Sequence, residues 1–405
     1  MLKDKLTALL FILVTTGLIA GMFTYEDNRP IQDFLDEYRS TVAEGTPVID
    51  RIIGAVDAAE IIMIRDTYRR SDFNEFFGFV QKSLGKKILQ DPEYDQIYKT
   101  TDNQIIFSAK KRSVEPAIRS IVELKKELDK AGIPLLYVQA PFKVSKTEQT
   151  LPLNITDYAD SNADNFLEGL KENNIEYLDL RPFLRDGEKT QNELFFDTDH
   201  HWRIETAFEA TWLIGDLLNK EYGFSIDEKL MNLESYHVKT YKNFFQGSMG
   251  RRVGVIYGGI DDFTLITPDF PTNLTVERHD KSYDEVSTGP FEDSMLVKSN
   301  LDENKPIDTN RYAVYRGDNA ELVFKNNLDA ANSVILIKDS FGLPVYSFLA
   351  PAIKITSALD MRYFDKNVVE YAKENNPDVV IIMYNADSFN DEMFNFKLDQ
   401  GGKNE

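Results

Sequence analysis

Short apolar runs alternating with amphipathic helical stretches constrain this chain more than any other feature. Ile118, Ile121, Val122, Leu124 and Leu128 mark one helical face that Gly132 stops near Lys130, and Pro134 to Val138 follows as a nearly continuous apolar strand. The pattern recurs. Asn162 to Glu172 reads as a helix and Ile175 to Leu180 as a strand, then Glu205 to Tyr222 as a long amphipathic helix. After a gap, Ser333 to Ile337, Ile353 to Thr356 and Asp378 to Met383 read as strands, with helices at Leu343 to Leu349 and Val368 to Lys373 between them. Strands that alternate with helices predict a parallel sheet covered on both faces, a three-layer α/β/α arrangement.

The rhythm breaks between about residues 223 and 326. There the aromatic and β-branched runs are short, such as Val253 to Tyr257 and Tyr312 to Tyr315, and Gly, Pro and Asp clusters separate them. They read as strands and turns, so 223–326 is expected to be a β-rich insertion in an α/β core made of 108–222 and 327–395. Residues 26–107 read as a charged, mostly helical lead-in. Ahead of it, Lys3 and Lys5 precede Leu6 to Tyr25, which carries no charge. About 20 uncharged residues can span a bilayer as a helix, and the flanking lysines favour an N-terminus kept inside. Residues 1–25 are therefore expected to be an uncleaved signal anchor, a cleaved signal peptide being the alternative, with the remaining chain outside the cell membrane.

Charge narrows the partners. With 67 acidic and 46 basic residues the net charge is −21, which repels nucleic acid and disfavours polyanionic polymers. The chain has no cysteine, so disulfides, thiolate nucleophiles and Cys-based metal sites are excluded.

Chemistry concentrates in two places. Asp197-Thr198-Asp199-His200-His201-Trp202 sets carboxylates against two of only four histidines. Far downstream, Ser340 stands in Lys338-Asp339-Ser340-Phe341-Gly342, where an apolar strand breaks into a turn. A neutral serine is a poor nucleophile and needs a base within hydrogen-bond reach; an imidazole oriented by a carboxylate supplies it. Ser340 is expected at the carboxyl end of a parallel strand, where catalytic groups of open α/β sheets collect. Its backbone N–H, and those opening the next helix, can serve as oxyanion donors. His200 could join Asp197, Asp199 and His201 around a metal, but adjacent strand residues point oppositely, so it reads as a structural or substrate-side residue, and no metal and no cofactor are expected. Trp202 reads as a packing residue, and His237 and His279 as surface residues.

Polar residues after two other strands are further oxyanion or substrate candidates: Gln139 and Lys143 after the first, Tyr384 and Asn385 after the last. Arg362 is a candidate for a sugar hydroxyl or carboxylate, or a partner for Asp360.

These residues carry a resemblance. Asp199-His200-His201-Trp202 resembles the signature of the DHHW family of bacterial envelope proteins, related to alginate-acetylation proteins of the AlgJ and AlgX type, which have an SGNH-hydrolase-like (flavodoxin-like) domain. Glu26 to Pro30, Lys338 to Phe341 and Ile355 through Leu359-Asp360-Met361-Arg362-Tyr363 agree with it. The resemblance implies Asp199 as orienting acid, His201 as base and Ser340 as nucleophile. The chain departs from it at Lys338, where many relatives have glycine. It further implies O-acetylation of an exported or cell-envelope polysaccharide through an acyl-serine, with acetyl groups delivered by a membrane-bound O-acyltransferase partner. A carbohydrate acetylesterase with the same residues, or a non-catalytic polysaccharide-binding protein, would share the fold.

Overall fold

The computed structural model describes residues 2–22, 30–42, 46–65, 70–144, 151–185, 189–279 and 284–398. Glu26 to Arg29, part of the resemblance, lie outside them. The chain forms two compact units, Met1–Val80 and Gln81–Glu405.

The first unit is helical: α1 (Leu2–Met22), α2 (Pro30–Thr41), α3 (Val48–Arg65), which packs against α2, and most of α4 (Arg70–Ser83). Among the described residues no helix is long and apolar enough to cross a membrane.

The second unit starts with a departure from the helical lead-in. Residues 88–106 form a three-stranded antiparallel sheet, β1 (Ile88–Asp91), β2 (Asp95–Lys99) and β3 (Ile105–Ile106). The alternately buried β1 explains it: Leu89 and Asp91 point inward while their neighbours face solvent, a period of two rather than 3.6.

The predicted alternation follows. It runs α5 (Glu115–Lys130), β4 (Leu135–Ala140), α6 (Ala159–Glu172), β5 (Tyr177–Asp179), the short α7 (Leu180–Arg185) and α8 (Gln191–Leu194), then α9 (Ile204–Glu221). Next come β6 (Tyr236–Phe245), α10 (Gly250–Gly258), β7 (Asp261–Pro268), β8 (Leu274–His279), β9 (Asp284–Gly289) and the single turn α11 (Phe291–Ser294). The chain closes with β10 (Glu321–Asn326), β11 (Ser333–Lys338), α12 (Gly342–Leu349), β12 (Ile355–Leu359), α13 (Val368–Asn375) and β13 (Val379–Asn385).

One eight-stranded sheet organises this unit, in the order β5-β4-β13-β11-β12-β10-β8-β9. The strands from β5 to β12 are parallel, with Leu336 level with Ile381 on one side and Ala358 on the other. Side chains alternate between two cores, as the pleat requires. Leu136, Val138, Leu336 and Ile381 join α9 and α12 on one face; Leu135, Tyr137, Ile335, Ile337 and Ile382 join α5, α6 and α13 on the other.

The sheet is mixed, which corrects the all-parallel expectation. β10, β8 and β9 continue it beyond β12 as antiparallel strands. The β-rich stretch thus extends the central sheet, and only β6 and β7 pair apart from it. Two runs read as strands are helical instead. Val253 to Tyr257 lies in α10, where Gly254 at φ +72° links two helical turns, and Tyr312 to Tyr315 lies in a 3₁₀ turn. Apolar runs this short carry no decisive period.

Candidate active site

Parallel strands deliver their carboxyl ends to one edge of the sheet, and Ser340 stands there, two residues past β11. Apolar β11 holds it from below, with Val334 to Ile337 at most 1% exposed. Asp339 fixes the turn. Its Oδ1 accepts the Phe341 N–H at 2.9 Å, and its Oδ2 accepts the Asn385 N–H, the Asn385 amide and the Ser388 hydroxyl at 2.7–2.8 Å.

The Asp199–His201 segment approaches from the loop between α8 and α9. Phe195 and Trp202 pair across its neck as an isolated antiparallel bridge. The Trp202 indole N–H reaches the Tyr312 hydroxyl and the Phe341 carbonyl, at 3.1 and 3.2 Å, so Trp202 locks the loop to the Ser340 turn, as a packing residue would. The loop folds back on itself: Asp199 Oδ1 accepts both the His201 backbone N–H at 2.9 Å and the His201 ring Nδ1 at 2.5 Å. That leaves His201 Nε2 pointing away, 2.7 Å from Ser340 Oγ. Tyr312 stacks flat on the His201 ring at 4.1 Å, which fixes its plane. Asp199, His201 and Ser340 form one continuous hydrogen-bonded chain.

Electrostatics support an ionised Asp199. Burial pushes its carboxyl up, but the His201 and His200 rings and the Ser248 N–H outweigh this and hold it well below the usual carboxylate range. His200 is different. Burial and the adjacent His201 ring push its imidazole down to about 3, so it is neutral at physiological pH. Its Nδ1 lies 2.7 Å from Ser248 Oγ. Asp199, His200 and His201 present potential ligand atoms within 4.8 Å of one another. Both Asp199 oxygens are already committed, Oδ1 to His201 and Oδ2 to the Ser248 N–H at 2.6 Å.

A polar clamp invisible in the sequence holds the loop. The N–H groups of Gly247, Ser248, Met249 and Gly250 point at Thr198 and Asp199. Asp261 accepts from the backbone of Asp197 and Thr198 and from the Thr198 hydroxyl, at 2.6–2.7 Å. Gly247 lies so close that a Cβ there would stand 2.2 Å from the Asp199 Cβ. The only sequence signal was the run Gly247-Ser248-Met249-Gly250, unremarkable without its partner loop.

The remaining candidates divide. Lys143 lies beneath the loop, buried, and donates to the carbonyls of Ile105, Asp197 and Asp199 at 2.8–3.0 Å. Burial pushes its ammonium down to about 8, against the pull of Asp261, Asp197 and Asp199. It supports the site rather than facing a substrate. Asn385 commits its amide to Asp339 and Ser388, not to the space beside Ser340. Gln139 is fully buried and donates to the Ala140 and Tyr384 carbonyls, and the Tyr384 hydroxyl donates to Met393 O; both serve the core. Arg362 pairs with Asp360 and also with Asp318. Among the described residues the Ser340 N–H has no partner, which leaves it available as an oxyanion donor.

Residues 100–250 match the family described as ALGX, the SGNH hydrolase-like domain of the acetyltransferase AlgX. The match takes in the Asp199–Trp202 loop and its glycine clamp and ends ahead of Ser340. Solved structures extend the likeness. Bacillus cereus PatB1, solved with a sulfonyl adduct, is 22% identical with a TM-score of 0.61, covering 76% of this chain and 99% of that one. A DHHW family protein from Eubacterium siraeum is 16% identical with a TM-score of 0.59, over 77% of this chain and 97% of that one. The fold is SGNH-hydrolase-like. No sequence among curated proteins matches the chain at a significant level. The chain resembles the DHHW proteins along most of its length, and the AlgX-type acetyltransferase domain where the family match falls.

Proposed function

We propose that this protein is an extracytoplasmic O-acetyltransferase that acts on a cell-envelope or exported polysaccharide through an acyl-serine. One observation carries the reading: the unbroken chain from Asp199 through His201 to Ser340 Oγ, at 2.5 and 2.7 Å. The match to an acetyltransferase domain favours acetyl as the group transferred.

In this mechanism Ser340 Oγ attacks the acetyl carbonyl while its proton passes to His201 Nε2. Asp199 keeps the proton on Nδ1 and stabilises the imidazolium. The Ser340 N–H faces the developing oxyanion. His201 then protonates the leaving oxygen, which departs and leaves acetyl-Ser340. In the second half a sugar hydroxyl takes the donor's place: His201 accepts its proton, the sugar oxygen attacks the acyl-serine, and Ser340 leaves with the proton returned from His201. Neutral His200 adds no charge beside the imidazolium.

The membrane setting rests on sequence. Lys3 and Lys5 ahead of the uncharged Leu6–Tyr25 support a single-pass anchor with the N-terminus inside and the second unit outside. Tethering there would place Ser340 where a membrane-bound O-acyltransferase can supply acetyl groups, a partner implied by the family resemblance.

The test uses a chromogenic acetyl ester. Ser340→Ala and His201→Ala are each expected to lower turnover by roughly 10⁴-fold or more, with the double variant scarcely worse than either single one. Wild-type-like turnover by Ser340→Ala would refute the assignment. Release of acetate alone, with no transfer to any neutral oligosaccharide, would make the protein an esterase.

A further inference from the structure

The residue that departs from the family pattern is Lys338, and its surroundings are the least expected part of the site. Lys338 ends β11, two residues before Ser340, and its side chain is 1% exposed. Beside it, one residue past the neighbouring parallel strand β12, Asp360 is fully buried. Lys338 Nζ reaches Asp360 Oδ2 at 2.9 Å and Asp318 Oδ1 at 2.7 Å. Arg362 closes the ring: its Nε and Nη2 bond Asp360 at 2.9 and 2.6 Å, and Nη2 reaches Asp318 Oδ2 at 3.0 Å. Two cations and two carboxylates balance, so the cluster carries no net charge beside the nucleophile turn.

The two carboxylates are not equivalent. The four contacts on Asp360 fill both its oxygens: Arg362 N and Nε on Oδ1, Arg362 Nη2 and Lys338 Nζ on Oδ2. Asp318 receives one contact on each oxygen, and its side chain is 27% exposed, which leaves lone pairs toward solvent. It follows the 3₁₀ turn whose Tyr312 stacks on His201. The backbone is held there. Arg316 and Gly317 both sit at φ +79°, and the Tyr346 hydroxyl donates to the Gly317 carbonyl at 3.2 Å. Burial pushes the Asp318 carboxyl up, but Lys338 and Arg362 outweigh it and hold the group well below the usual carboxylate range.

We infer that Asp318, held by the buried ammonium of Lys338, accepts a hydrogen bond from a hydroxyl of the incoming acyl acceptor, and that this acceptor is a neutral sugar. A fixed carboxylate with free lone pairs recognises a hydroxyl and repels an anion. The partly exposed Arg362 guanidinium beside it offers a donor to a neighbouring hydroxyl, so the pair suits a vicinal diol. Lys338 is a positioning residue: without its ammonium, Asp318 loses the partner that fixes its orientation. The inference rests on the transferase reading above.

Acceptor kinetics separate the two ideas. The full chain is assayed for hydrolysis of a chromogenic acetyl ester without acceptor and for acetyl transfer to a neutral oligosaccharide over a range of concentrations. Asp318→Asn is expected to raise the acceptor KM by about tenfold or more, the worth of one charge-assisted hydrogen bond. Its acceptor-free turnover should fall by no more than about threefold. Lys338→Met should raise the acceptor KM in the same direction, and Asp318→Glu should recover part of the loss. Equal losses in both assays would overturn the role, as would an unchanged acceptor KM in Asp318→Asn while the wild type transfers normally. A wild type that hydrolyses the ester and acetylates no sugar overturns the transferase reading itself, and the role of Asp318 with it.

Discussion

The two halves of the hydrogen-bonded chain are held in opposite ways. Ser340 rides on a buried apolar strand, and one carboxylate, Asp339, ties its turn to β13. Asp199 and His201 lie in an irregular loop, gripped by polar groups from remote segments: Lys143, Asp261 and the N–H groups of residues 247–250. One half inherits its position from the core, whereas the other is assembled by directional bonds. Damage to what supports Ser340 should register mainly as lost stability, and damage to what supports Asp199 and His201 mainly as lost activity.

The sharpest break is Asp199→Asn. It preserves shape but offers an amide where His201 needs a carboxylate, so turnover of an acetyl ester should fall by roughly 10⁴-fold. Next is Gly247→Ala. The added methyl collides with the Asp199 Cβ, Cα and Oδ2, so the loop must move. A shift near 1 Å costs on the order of 10²-fold in turnover, with most of the thermal stability kept. Retention of full activity would show that the clamp does not set the His201 position. On the other half, Asp339→Ala strands the Asn385 N–H, the Asn385 amide, the Phe341 N–H and the Ser388 hydroxyl. Urea unfolding should show a loss of about 3 kcal/mol or more, the largest stability effect in this set. An Asp339→Ala chain as stable as wild type, yet inactive, would reverse the comparison.

The smallest effect concerns pH and lies away from both halves. Asp157 accepts the Ala109 and Ala159 N–H groups, and burial pushes its carboxyl up to about 6 despite those bonds. An unfolded chain titrates the same group near 4. Between those values the folded protein binds more protons than the unfolded chain. The stabilisation is therefore complete below about pH 4 and is lost as pH rises through 6. The melting temperature of Asp157→Asn should vary less between pH 4 and 7 than that of the wild type.

How much of this the sequence disclosed follows from the same contrast. Strands β4, β11 and β13 were legible as near-continuous apolar runs, the mark of strands buried on both faces, and helix α9 by its helical period. The residues of the chain from Asp199 to Ser340 were legible as types, since acid, base and nucleophile chemistry needs them. The clamp was not, because a hydrogen bond from Ser248 to Asp199 spans 49 positions and leaves no periodic trace. Gln139 and Asn385 show the converse error. Both lie in the last residues of strands that end at the right edge, yet their amides turn to the core and to Asp339. Position along a strand places a backbone, and the direction of a side chain depends on neighbours that sequence order does not reveal.

The buried stem of Lys338 has a consequence at the start of the next helix. Gly342 opens α12 directly over it, and a Cβ there would come within 2.6 Å of the Lys338 Cβ and 3.0 Å of its Cγ. The lysine has taken the room that a side chain at 342 would occupy. The two positions are thus bound by a rule of exchange: a chain with glycine at 338 is free to place alanine at 342, whereas one with lysine there is not. The bulk permitted at this corner is shared between two residues, and changing one alters what the other is allowed to become.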